Sequence, residues 1–175
     1  GVVLAYAITG ILQEPEHALQ EQFMQAIAVM DGQFRSRFPQ AEALSVQLRK
    51  AVRLAQSGTV SSQDGMEQLQ CLDAAQCLAG AMFACLREPD DFDSAIILAV
   101  NHSGLSAAVG AITGAVLGAK LGEDALPAFY LESLDCADTL RVLADDMACG
   151  TPASGLFDDA WDYKYVQGFP PDGEI

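Results

Sequence analysis

The chain has 175 residues, 51% hydrophobic but only 7% aromatic, and carries a formal net charge of −15. That length supports one domain with its own core, and apolar content drawn mainly from Ala, Leu and Gly suits packed helices better than aromatic-rich sheets. The acidic balance, with twelve carboxylates against Lys120, Arg141 and Lys164 after residue 119, leaves no basic stripe for a phosphate backbone and argues against nucleic acid and anionic lipid as partners.

The predicted elements are all helical. Val2–Leu12 is an apolar helix ending near Pro15, with Gly10 as a packing site. Glu16–Gly32 is amphipathic, because Leu19, Phe23, Ile27 and Met30 recur at three- and four-residue spacing. Pro39 opens a third helix with Leu44, Leu48, Val52 and Leu54 apolar and Arg49, Lys50 and Arg53 outward, ending at Ser57 and Gly58. Thr59–Gly65 reads as a polar loop. Met66–Leu86 is a long helix that stops before Pro89, and Asp90–Ala99 is the next, with Asp90 or Asp91 as its cap. Gly104 precedes a central, buried helix, Leu105–Leu121, for which Gly122 is the C-cap. A short turn begins at Asp124, and Glu132–Cys149 is the last long helix. Residues 1–150 therefore form one all-α domain, and 151–175 a tail docking on it through Trp161, Tyr163 and Tyr165.

Small-xxx-small spacing at Gly110, Gly114 and Gly118 is that of membrane helix pairs. The apolar stretch Leu105–Ala119 nevertheless covers about fifteen residues, short of the roughly twenty that cross a bilayer. Gly1–Leu12 lacks the basic start and cleavage site of a secretory signal. Cys71, Cys77, Cys85, Cys136 and Cys149 form no CxxC pair and no zinc spacing, so reduced, mostly buried thiols in a cytoplasmic protein are expected.

The segment Ala99–Ala119, AVNHSGLSAAVGAITGAVLGA, carries the chemistry-bearing residues. Asn101, His102, Ser103, Gly104 and Ser106 stand before and at the start of a helix, where free N–H groups can hold an anion. His102 has no acidic neighbour in sequence closer than Asp93, so a histidine bonded into the loop is favoured over a catalytic base. Ser103 and Ser106 have no adjacent base to make a nucleophile and are expected to turn the chain and cap the helix. No catalytic residue is assigned.

In order and spacing, this segment with CLREPDDFDSAIILAVNHSG upstream and KLGEDALPAFYLESL and LADDM downstream resembles the C-terminal half of the ADP-ribosylglycohydrolase family. That family includes dinitrogenase reductase-activating glycohydrolase and the crystallin J1 relatives. The resemblance implies a compact orthogonal helical fold lacking the family's N-terminal half, with Val2–Leu12 as the helix that follows it. It also implies two Mg²⁺ or Mn²⁺ ions bound by a segment typically reading Asn-His-Ser-Gly-Asp-Ser-Asp-Ser/Thr. Here the three ligand positions read Leu105, Ala107 and Ala108, and a Glu-Glu pair of many relatives reads Ala75-Gln76. Hard dications need oxygen ligands, which leucine and alanine lack, so no metal and no cofactor are expected.

The expectation is a catalytically inactive, ADP-ribosylglycohydrolase-like binding or assembly module whose Asn101–Ser106 segment is a vestigial ligand site for an ADP-ribose-like molecule. The alternative is one subunit or fragment of a metal-dependent hydrolase whose other half is supplied elsewhere. An apolar first helix with one uncovered face further predicts a homodimer or heteromer built through Gly1–Leu12.

Overall fold

The computed structural model describes residues 1–132 and 134–148. Among them the chain is helical with no strand: α1 (Val2–Gln13), α2 (Leu19–Gln33), α3 (Gln40–Gln56), α4 (Ser62–Leu69), α5 (Ala74–Arg87), α6 (Phe92–Val100), α7 (Ser106–Leu121), a 3-10 turn (Glu123–Ala125), α8 (Ala128–Glu132) and α9 (Ala137–Ala148). The contacts divide into two compact units, Gly1–Tyr130 and Leu131–Ile175. In the second, α9 has no buried residue. The expected tail, with Trp161, Tyr163 and Tyr165, lies outside the described residues, as does Cys149.

In the first unit the surrounded helix is α5, with every residue from Cys77 to Cys85 buried and α2, α3, α4, α6 and α7 packed against it. The sequence predicts that place for Leu105–Leu121. That helix, α7, instead buries only Val109, Thr113, Val116 and Leu117, and its other side exposes Ala107, Ala108, Ala111 and Ala115. Methyl groups make a helix apolar in composition while adding little area that water must vacate, so high hydropathy here does not mean full burial.

Several boundaries differ from the expectation, and caps explain the two that define α4 and α5. The predicted loop at Thr59–Gly65 holds the start of α4, because the Ser61 hydroxyl accepts the Asp64 N–H at 3.0 Å and so satisfies a donor of the first turn. The predicted helix Met66–Leu86 is two helices, α4 and α5. Between them Gln70 and Cys71 take φ of +65° and +54°, a left-handed elbow that no α-helix continues through. Asp73 then caps α5 by accepting the Gln76 N–H at 2.9 Å, while the Gln76 side chain accepts the Leu72 N–H at 2.8 Å. The predicted last helix, Glu132–Cys149, begins later, as α9 at Ala137, while α8 occupies Ala128–Glu132 ahead of it, and α2 starts at Leu19 and runs through Gly32 to Gln33.

Other expectations are met in detail. Asp91 rather than Asp90 caps α6, accepting the Ser94 N–H at 3.0 Å, and Asp90 pairs with Lys120 at 2.6 Å. Gly122 ends α7 with φ +76°, a conformation that favours glycine. Gly10 is a close-approach site facing Gln22, whose buried amide donates to the Gly10 and Glu14 carbonyls at 3.3 and 3.1 Å. Cys71, Cys77 and Cys85 are free and buried, and Cys136 is free and exposed. α1 buries Val3, Ala7 and Ile11 against a core it shares with α2 and α7, and leaves Val2, Tyr6 and Leu12 exposed. No helix among the described residues is long and apolar enough to cross a membrane.

Candidate functional site

Residues 101–105 connect α6 to α7 and residues 106–108 open α7, and the polar side chains of this segment are committed to holding its shape. Asn101 closes α6 by donating its amide to the Ile97 carbonyl at 2.8 Å. Its own carbonyl accepts the Gln63 amide of α4 at 3.0 Å. His102 receives the Gly104 N–H on Nδ1 at 2.9 Å. Because that nitrogen is an acceptor, the hydrogen-bond geometry assigns the ring hydrogen to Nε2, which donates to the Ala99 carbonyl at 2.9 Å. Both ring nitrogens are thus occupied by backbone, as the sequence reading of a loop histidine expects.

Ser103 reaches α4. Its N–H donates to Glu67 Oε1 at 3.1 Å and its hydroxyl to Glu67 Oε2. The hydrogen bond from the Ser103 hydroxyl, partly opposed by desolvation and aided by the Ser103 N–H, holds the Glu67 carboxyl below the usual range. Glu67 has no part in the sequence reading. Its partner lies 36 residues away, and placing Met66–Leu86 in one helix left no α4 to carry Glu67 to the loop.

Gly104 packs directly on the elbow before α5. A Cβ there would lie 2.3 Å from the Gln70 carbonyl oxygen and 2.7 Å from that of Cys71, so no side chain fits. That approach lets the Leu105 N–H donate to the Cys71 carbonyl at 2.8 Å. The start of α7 has no side-chain cap. The sequence expects Ser103 and Ser106 to cap it, but the Ser103 hydroxyl goes to Glu67 and that of Ser106 turns back to the His102 carbonyl at 3.5 Å. The N–H groups of Leu105, Ser106 and Ala108 already bond to the carbonyls of Cys71, Gly104 and Leu105, which leaves little of this terminus for an anion.

Leu105 is 52% exposed, and Ala107 and Ala108 are exposed, so all three expected ligand positions face outward and present only carbon. An open hollow of about 510 Å³ lies along α4, lined by Thr59, Val60, Asp64, Glu67 and Gln68. Of its two carboxylates, Glu67 is occupied by Ser103 and Asp64 accepts the Ser61 hydroxyl at 2.7 Å.

A family model described as ADP-ribosylglycohydrolase matches residues 1–156. The chain belongs to the ADP-ribosylglycohydrolase family. The all-α architecture agrees with that membership. No curated protein and no solved structure matches the chain significantly. The oxygen chemistry of this family member does not fit the pair of hard dications that the sequence resemblance implies. Side chains at 105, 107 and 108 hold no lone pair, and among the described residues no three His, Cys, Asp or Glu side chains gather where they could hold a metal.

Proposed function

We propose that this chain is a non-hydrolytic member of the ADP-ribosylglycohydrolase family that serves as a binding or assembly module. The reading rests on one observation: the exposed positions 105, 107 and 108, where the family's ligands are expected, hold Leu, Ala and Ala. Without oxygen donors there is nothing to orient a substrate-bridging dication or to lower the pKa of a bound water. Asn101, His102 and Ser103 do not compensate, since each is engaged by backbone or by Glu67. Calorimetric titration with Mg²⁺ and Mn²⁺, run beside a hydrolysis assay on an ADP-ribosylated protein, tests it. The expected result is no saturable metal heat and no released ADP-ribose; two-site metal binding or turnover would refute it.

The assembly part of the reading places a homodimer, or a tight heteromer, on α1. Its support is the outer face bearing Val2, Tyr6 and Leu12, all exposed, on a helix whose opposite face is buried. A two-fold contact needs about 800 Å² per partner. Sedimentation equilibrium of the wild type and of a Tyr6→Glu, Leu12→Glu variant separates the outcomes. The wild type is expected as a dimer and the variant as a monomer, and a wild-type monomer of 18.5 kDa would overturn the homodimer.

A further inference from the structure

The chain is acidic, yet five of its nine Lys and Arg residues fall between Arg35 and Arg53, with Glu42 the single acidic residue among them. Read by composition alone, no basic stripe exists; the fold gathers one. Val46, Lys50 and Arg53 share the outer face of α3 at i, i+4, i+7 spacing, opposite the buried Ser45, Leu48 and Val52. The turn before α3 is tied to the same end of that face by the Arg35–Glu42 pair at 2.6 Å. That turn adds Arg37 and Phe38.

Two internal pairs, Arg35–Glu42 and Arg49–Asp31, use up one cation each. Lys50 donates to the Gln68 carbonyl at 2.6 Å and meets no carboxylate among the described residues. Arg37 and Arg53 are exposed and make no ion pair among the described residues. Among these cations sit two large apolar side chains in water, Phe38 at 52% exposure and Val46 at 60%. Apolar centres with a charged rim are the anatomy of protein–protein interfaces.

We propose that the outer face of α3, with the turn at residues 35–38, docks an acidic segment of a partner protein that carries large apolar side chains. The acid meets Arg37, Lys50 and Arg53, and the apolar groups cover Phe38 and Val46. A nucleic acid or an anionic bilayer fits less well. Either presents an extended field of negative charge to the other 23 carboxylates of the chain, and phosphates gain nothing from Val46. A short segment avoids that repulsion, because at physiological salt charges beyond about 8 Å are largely screened. This face is separate from the 101–108 segment, so the proposal stands or falls independently of the missing metal ligands.

The test uses the full chain and a labelled synthetic helix of about sixteen residues with Glu and Leu at helical spacing, followed by fluorescence anisotropy at about 0.15 M salt. Saturable binding with a Kd below about 100 µM is expected. The Arg37→Glu, Arg53→Glu variant should weaken it at least about tenfold, and Val46→Ser should weaken it several-fold. A peptide with Ser in place of every Leu should not bind. Should charge reversal disturb folding, as read by thermal melting, Arg37→Gln with Arg53→Gln replaces it with the same expectation. Absence of binding, indifference to these substitutions, or equal binding of the Ser peptide would overturn the proposal. So would a DNA oligonucleotide that displaces the peptide and binds this face more tightly.

Discussion

Replacing Gly104 by alanine should destabilise the protein by about 2–4 kcal/mol. The added methyl would sit 2.3 and 2.7 Å from two backbone carbonyl oxygens and 2.8 Å from Cys71 Cβ, where ordinary contact requires more than 3 Å. None of these is the end of a flexible side chain, so the 101–105 loop and the 70–71 elbow must part by close to an ångström. Overpacking of this kind costs about 1–3 kcal/mol. The same displacement stretches the Leu105 N–H bond to the Cys71 carbonyl, 2.8 Å in the native fold, and an unsatisfied backbone pair adds about 1–3 kcal/mol. Because the loop can relax partly, the two are not fully additive. Urea unfolding followed by circular dichroism measures the difference. Gly118→Ala is the internal control. It lies in α7 with nothing within 4 Å of its Cβ position, so it should stabilise by about 0.5–1 kcal/mol through helix propensity. A Gly104→Ala midpoint within error of wild type would refute the close approach of loop and elbow.

Arg87→Met should cost about 2–4 kcal/mol, because one guanidinium nitrogen serves the carbonyls of Leu54, Ser57 and Val60 at 3.1, 3.1 and 2.6 Å, and while Leu54 keeps the Ser57 N–H, methionine takes from Ser57 and Val60 a charged donor it cannot replace; an unchanged urea midpoint would contradict it. Burial alone pushes the Asp31 carboxyl up, but hydrogen bonds from Arg49 and Ser45 and the positive charge of Arg49 and Arg35 outweigh it and hold it below its ordinary value. Its contribution, about 0.5–1 kcal/mol for a partly exposed pair, is therefore present above the unfolded-state pKa near 4 and disappears as pH falls through the lower folded-state value. Asp31→Asn should flatten that part of the acid-denaturation curve, and an unaltered acid limb would show that the pair contributes nothing. Burial pushes the Cys71 thiol up to about 11 and the Cys85 thiol up to about 12, while Cys136 is exposed. A maleimide pulse on native protein with peptide mapping should thus label Cys136 before Cys71, Cys77 and Cys85; early labelling of Cys85 would contradict its burial.

What the sequence discloses is whatever acts over one helical turn. The stripe Leu19, Phe23, Ile27, Met30 places one face of α2 in the core, and Asp91 and Gly122 mark the ends of helices by chemistry local to each. The elbow at Gln70 and Cys71 escapes this reading, since neither residue type favours a left-handed backbone and the conformation is held from outside by Gly104 and Leu105. Local signals mark the break all the same, for Asp73 with Gln76 and Ser61 with Asp64 both have capping-box spacing. At the candidate site, Asn101, His102 and Ser103 stand together as their adjacency requires. Glu67 could not be seen, because its role comes from the packing of α4 against α6 rather than from any spacing along the chain.

The outward position of residues 105, 107 and 108 has a consequence for how such a domain changes over time. The α7 residues that hold the core, Val109, Thr113, Val116 and Leu117, are a different set from those that meet solvent at its start. Exchanging an aspartate for an alanine on the solvent side removes no packing and opens no cavity, so folding exerts almost no restoring pressure on those three positions. Scaffold and solvent-side chemistry rest on separate residues here. A lineage could discard the reaction, or take up another, while every helix stayed where it is.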